Sequence, residues 1–133
     1  MSRENVEILR RANAAFNRGD VGEALSHYDP DVVWRDLAHP PDSSEYVRGI
    51  PALREIWEGW NASGALKANV EEYIDAGDAV VCVTNWSLLG AGSGLGIDTT
   101  YAEVYEFEDG TVVRATVGYP TRRAALEAVG LEE

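Results

Sequence analysis

The sequence has one cysteine, Cys82, so neither an intramolecular disulfide nor a cysteine metal cage can form. Its two histidines, His27 and His39, have no partner at the i, i+4 spacing of a zinc motif, and no metal site is expected. Positive charge is scarce. Eleven Lys plus Arg stand against 23 Asp plus Glu, a net charge of −12, so a phosphate backbone is repelled and nucleic acid is not expected as a partner. Long apolar runs are missing as well: the longest, residues 79–83, falls far short of the ~20 residues of a membrane span. Charges flank every short apolar stretch near the start, where a secretory signal needs an apolar core. A soluble cytoplasmic protein without membrane contact is the expectation.

What is present fits one globular domain over residues 1–133. The chain weighs 14.5 kDa and is 45% apolar. At this mass about two-thirds of the unfolded surface is buried on folding, enough for a core without staples.

Apolar side chains at Ile8, Leu9, Ala12, Ala15 and Phe16 form a helical stripe over residues 2–18, which Gly19 ends. Asp20 with Glu23 opens a second short helix that places Val21, Ala24, Leu25 and Tyr28 on one face, closed by a turn at Asp29-Pro30-Asp31. A strand over 32–36 and a loop over 37–48 follow. Leu53, Ile56, Trp57 and Trp60 then repeat at helical spacing behind Pro51. The remainder alternates as strands over 66–74, 79–89, 97–107 and 111–119, joined by hairpin turns at 76–78 and 108–110, with a last helix from Thr121. The glycine-rich stretch 90–96 matches no phosphate-binding spacing and reads as a flexible connection. The order predicts an α+β fold, with helices on one face of a curved, mainly antiparallel sheet.

Two carboxyls draw attention on that sheet. Tyr101, Glu103, Tyr105 and Phe107 share one face of their strand, and on the next strand Val113, Ala115, Val117 and Tyr119 form the apolar face. If both faces turn inward, Glu103 points into an apolar interior, where it has to be paired, hydrogen-bonded or protonated. Trp34 and Asp36 share a face by the same alternation, Asp36 at the strand's mouth. Differently buried carboxyls can divide acid and base roles. His39, three residues past that strand, is a further acid or base candidate, or a solvated loop histidine. The bland alternatives make Asp36 a solvated strand end and Glu103 an ion-pair partner of Arg54 or another cation.

The strand over 79–89 is apolar on both faces, Val81 and Val83 on one and Val80, Cys82 and Trp86 on the other. Covering the second face predicts a homodimer through the outer sheet.

The chain resembles the cone-shaped α+β superfamily of nuclear transport factor 2, in its ketosteroid isomerase and SnoaL-like polyketide cyclase branch. The carriers are Ala14-Ala15-Phe16-Asn17-Arg18-Gly19-Asp20, Tyr28 with Asp31, Val33-Trp34-Arg35-Asp36, Gly49 with Ala52-Leu53-Arg54-Glu55, and Phe107 with Asp109-Gly110-Thr111-Val112-Val113. The resemblance implies a strongly curved sheet wrapped around a pocket that helices close. It sets Asp36 at the position of a proton-shuttling aspartate and Glu103 at that of a protonated, hydrogen-bond-donating one. A helix-one tyrosine that donates a second hydrogen bond in ketosteroid isomerases is Ala12 here, and the helix-three aromatic supporting it is Trp57. The expected activity is movement of a proton next to a carbonyl, without a cofactor. Asp36 is the base, Glu103 the donor, and Trp34, Trp57, Tyr101, Tyr105 and Tyr119 line the site for a small apolar molecule. The competing class is a binding protein for such a ligand without turnover.

Overall fold

The computed structural model describes residues 2–39, 41, 44–90 and 96–131; most of the glycine-rich connection lies outside the described residues. Helix α1 (Ser2–Asn17) buries Leu9, Ala12, Ala15 and Phe16, as its stripe requires. Gly19, at φ +82°, turns the chain out of it. Helix α2 (Val21–Leu25) is capped by Asp20, whose carboxylate accepts from the Glu23 N–H at 3.1 Å. Helix α3 (Ile50–Ser63) buries Leu53 and Trp57, and helix α4 (Arg122–Ala128) starts at Thr121, whose hydroxyl accepts from the Ala124 N–H.

Six strands make one curved sheet: β1 (Tyr28–Asp36), β2 (Tyr46–Arg48), β3 (Gly64–Asp75), β4 (Ala79–Gly90), β5 (Gly96–Glu108) and β6 (Thr111–Tyr119). Their order is β2-β1-β6-β5-β4-β3. Every pairing is antiparallel except β1 with β6, which is parallel. The turn at Asp109-Gly110, both at positive φ, is the Asp-Gly turn expected of a tight hairpin.

Residues 28–31 depart from the sequence reading. Tyr28 begins β1 instead of closing the second helix, and it is buried. The Asp31 N–H still donates to Asp29 Oδ1 at 2.8 Å, as in a turn, but a register shift between Tyr28 and Val33 absorbs it inside the strand. Part of the expected loop 37–48 is strand β2, which pairs with β1 through Trp34 and Val47.

The helices occupy both faces of the sheet. The inner face carries Val80 and Cys82 of β4 and Tyr105 and Phe107 of β5, in one cluster with side chains of α1, α2 and α3. On the outer face Ala79, Val81, Ala102 and Val104 pack against Ala125 and Leu126 of α4. Of the second apolar face of β4, Val81 thus finds cover within the chain, and Val83 is half-buried.

Strand β6 breaks the simple alternation twice. Register shifts against β5 fall between Glu106 and Phe107 and between Ala102 and Val104. Each sets an extra β6 residue against its partner and reverses the faces beyond it. Val112, Ala115 and Val117 therefore point inward, whereas Val113 turns outward and Tyr119 packs against the outer cluster beside Ala102.

Candidate active site

The β4–β5 register sets Glu103 opposite Cys82 and brings Thr84 and Trp86, on the same face of β4, diagonally toward it. Glu103 is 1% exposed. Its Oε1 accepts from the Thr84 hydroxyl at 3.0 Å and from the Tyr105 hydroxyl at 2.9 Å, and its Oε2 accepts from Trp86 Nε1–H at 2.9 Å. No Lys or Arg of the described residues forms a salt bridge with it, and Arg54 is not its partner. The ion-pair alternative is set aside.

Burial pushes the Glu103 pKa up from 4.5 to about 7; the three donated hydrogen bonds restrain the rise and the Asp36 charge adds to it. Burial likewise raises Tyr28, Tyr105 and Cys82, which stay neutral at physiological pH. A carboxyl group has about four acceptor positions, two on each oxygen. Two on Oε1 and one on Oε2 are taken, so a proton on the remaining Oε2 position leaves all three hydrogen bonds intact. Glu103 can therefore take up and release a proton without rearranging its cradle.

Beside this cradle lies a cavity of about 10 Å³, room for a single water. Ala12, Asn13 and Phe16 of α1 form one wall, and Tyr28 and Trp34 of β1 another. Trp57, Ala68, Trp86 and Tyr105 complete it. Trp57 is the hub of the rings, meeting Phe16, Tyr28 and Trp34 edge to face at centroid distances of 5.2, 5.5 and 5.6 Å.

Of the residues singled out from the sequence, Trp34, Trp57 and Tyr105 line this cavity and Glu103 is held by two of its walls. Tyr101 pairs with Thr84 one step along from Glu103 but is not part of the lining. Tyr119 is turned to the outer face by the bulge, so its inward placement is corrected. His39 stands 3.8 Å from Glu45, which also holds Arg35, on the rim formed by β1 and the segment before β2. Thr84 and Trp86, two of the three donors to Glu103, were not anticipated as site residues. Alternation placed Trp86 with Val80 and Cys82, but only the β4–β5 register shows which carboxylate it reaches.

Asp36 ends β1 with Oδ1 accepting from the Ala38 N–H at 2.9 Å. Its position depends on Gly118, which has φ +88°; a Cβ there would lie 2.8 Å from Ala38 N and 3.1 Å from Asp36 Oδ1. Gly118→Ala should cost about 2 kcal/mol or more, from backbone strain together with displacement of Asp36 and Ala38. Gly130→Ala, at φ +78° with nothing within 4 Å, carries the strain alone and is the control. Urea unfolding of the two variants checks this, and equal losses would show that the Asp36 corner yields freely.

Among the described residues, no helix is long and apolar enough to cross a membrane, and no three His, Cys, Asp or Glu side chains group to hold a metal. No curated protein matches the sequence. Similar solved structures include Bal32a from a soil-derived mobile gene cassette, with TM-score 0.78 and 21% identity over 88% of this chain and 89% of that one. TerC, co-crystallised with polyporic acid, has TM-score 0.74 and 20% identity over 95% and 98%. A protein of ketosteroid isomerase-like fold from Catenulispora acidiphila, in complex with trimethylamine, has TM-score 0.73 and 15% identity over 94% and 93%. At these identities the likeness is one of fold. The sequence itself matches the model of the SnoaL-like domain over residues 9–115, and with the sheet, helices and interior carboxyl in place the chain belongs to that family.

Proposed function

We propose that this protein is an enzyme that moves a proton next to the carbonyl of a small, largely apolar substrate, in the manner of an isomerase, cyclase or dehydratase. The observation that carries the reading is Glu103, a buried carboxyl with three neutral donors, one open position for a proton and a pKa of about 7. Such a group is matched to neutral pH for giving or receiving a proton. Neutral Glu103 donates from Oε2 to the carbonyl oxygen as charge builds on it, and Asp36, nearer the strand's mouth, takes the proton from the adjacent carbon. His39, tied to Glu45 on the rim, is left out of the chemistry.

The cavity has room for only about one water, so a substrate enters by moving rings aside. Trp60, half-buried with its ring centroid 6.4 Å from that of Trp86, is a ring that can move without breaking the hydrogen bonds to Glu103. TerC, co-crystallised with polyporic acid, and the Catenulispora protein, in complex with trimethylamine, are proteins of similar fold that were crystallised with small molecules.

Hydrogen–deuterium exchange at the carbon beside the carbonyl, followed for a panel of small enolisable ketones in deuterated water, tests the proposal. Wild type should accelerate exchange of at least one ketone, and Asp36→Asn should lose about 10²-fold or more of that rate with little loss of affinity. Glu103→Gln should lose less than Glu103→Leu, because the amide still offers a donor. Ketones that bind but exchange at the uncatalysed rate would make the protein a binder without turnover.

A further inference from the structure

Two buried side-chain atoms among the described residues have no hydrogen-bond partner, His27 Nε2 and Trp57 Nε1. The first stands 3.5 Å from a Glu23 carboxylate oxygen, so a charged partner is at hand. Trp57 is different: 3% exposed, it is surrounded by the rings of Phe16, Tyr28 and Trp34. A buried N–H without an acceptor is destabilising compared with an aromatic ring that lacks one. The neighbouring Trp86 shows the usual solution, its Nε1–H donating to Glu103. Trp57 nevertheless lines the same cavity as Trp86 and Tyr105, the two walls that hold Glu103.

We propose that the Trp57 Nε1–H is a ligand-binding donor, held in reserve by the fold for the acceptor atom of the small molecule that enters the cavity, a carbonyl oxygen. This rests on the proton-transfer reading of the same cavity and gives it a specificity determinant. A carbonyl oxygen has two lone pairs, and neutral Glu103 and Trp57 each use one. An apolar molecule of the same shape but without an acceptor leaves both donors unpaired and is rejected. The edge-to-face packing on Trp57 keeps the indole fixed, so the donor is already in place when the ligand arrives.

Cyclohexanone and methylenecyclohexane, nearly identical in shape but with and without the oxygen, are the probes. They are titrated into the full chain carrying ¹⁵N-labelled tryptophan, with the Trp57 indole resonance assigned by its absence in Trp57→Phe. Cyclohexanone should move the Trp57 N–H resonance downfield and methylenecyclohexane should not. Trp57→Phe, which keeps an aromatic ring, should bind cyclohexanone about tenfold more weakly, equivalent to 1.4 kcal/mol, and prefer it over methylenecyclohexane only by the part that Glu103 supplies. Should Trp57→Phe fail to fold, the Trp57 resonance is assigned by elimination from Trp34→Phe, Trp60→Phe and Trp86→Phe and decides alone. A Trp57 resonance indifferent to bound cyclohexanone, or an undiminished preference for it in Trp57→Phe, overturns the inference and leaves the proton-transfer reading standing. Cyclohexanone held by Trp57 yet unaffected by Glu103→Gln and without catalysed exchange overturns that reading and leaves the donor site. No binding of either probe to wild type overturns both.

Discussion

Glu103→Leu should lower the unfolding free energy at pH 5 by about 3 kcal/mol or more, because it strands two buried donors and one half-buried one, each costing roughly 1–3 kcal/mol when left unsatisfied. Those donors are the Thr84 hydroxyl, the Tyr105 hydroxyl and the Trp86 indole N–H. The hydroxyls can rotate but sit on paired strands, where neighbouring carbonyls are committed to the ladder. At pH 5 native Glu103 is protonated, so the comparison is free of any cost of burying its charge. Glu103→Gln is the graded control. Its carbonyl oxygen can keep Thr84 and Tyr105, while its amide N–H₂ faces the Trp86 N–H, so the loss is about 1–2 kcal/mol for one unmade bond. Urea unfolding measures both, and a leucine variant within 1 kcal/mol of wild type would mean that the cradle of donors contributes nothing to the fold.

The second large effect is on pH. Burial raises the Glu103 pKa from 4.5 in the unfolded chain to about 7 in the native one. Between those values the native protein holds a proton that the unfolded chain has released. Its stability therefore falls as pH rises from about 4.5 to about 7 and is flat with respect to this group above that. The size is about 3 kcal/mol, from 1.36 kcal/mol per pKa unit. Other carboxyls add their own pH dependence, so the quantity to measure is the difference between wild type and Glu103→Gln, in which this titration is absent. The stability of wild type relative to the variant should drop by about 2–3 kcal/mol between pH 5 and pH 8, the first part of the loss lying below pH 5. A difference that does not change with pH would put the native and unfolded pKa values together.

The carboxyl and most of its surroundings were legible in the sequence because strand alternation is a local property. Tyr105 and Glu103 share an inward face, and Trp34, 5% exposed, faces inward as the alternation of β1 requires. Helix stripes and caps were legible for the same reason, Asp20 and Thr121 among them. What stayed hidden depends on pairing between distant segments. The two bulges of β6 show only against β5, and they turned Tyr119 and Val113 outward while bringing Val112 in. Asp29-Pro30-Asp31 carries the chemistry of a turn, and tertiary pairing made it a kink within β1. That α4 packs on Ala79 and Val81 of β4 could not be read from the strand pattern. Thr84 and Trp86 became donors to Glu103 only through the β4–β5 register.

Proton transfer in this site depends on the ionisation of one buried side chain, Glu103, which can be followed directly. With ¹³C placed in the glutamate side-chain carboxyls, the Glu103 signal is identified by its loss in Glu103→Gln and tracked by NMR from pH 4 to pH 9. The expected result is a titration with a midpoint within about one unit of 7. A midpoint near 4.5, with Glu103 ionised throughout the neutral range, would contradict it and leave the interior without a group able to exchange protons at physiological pH.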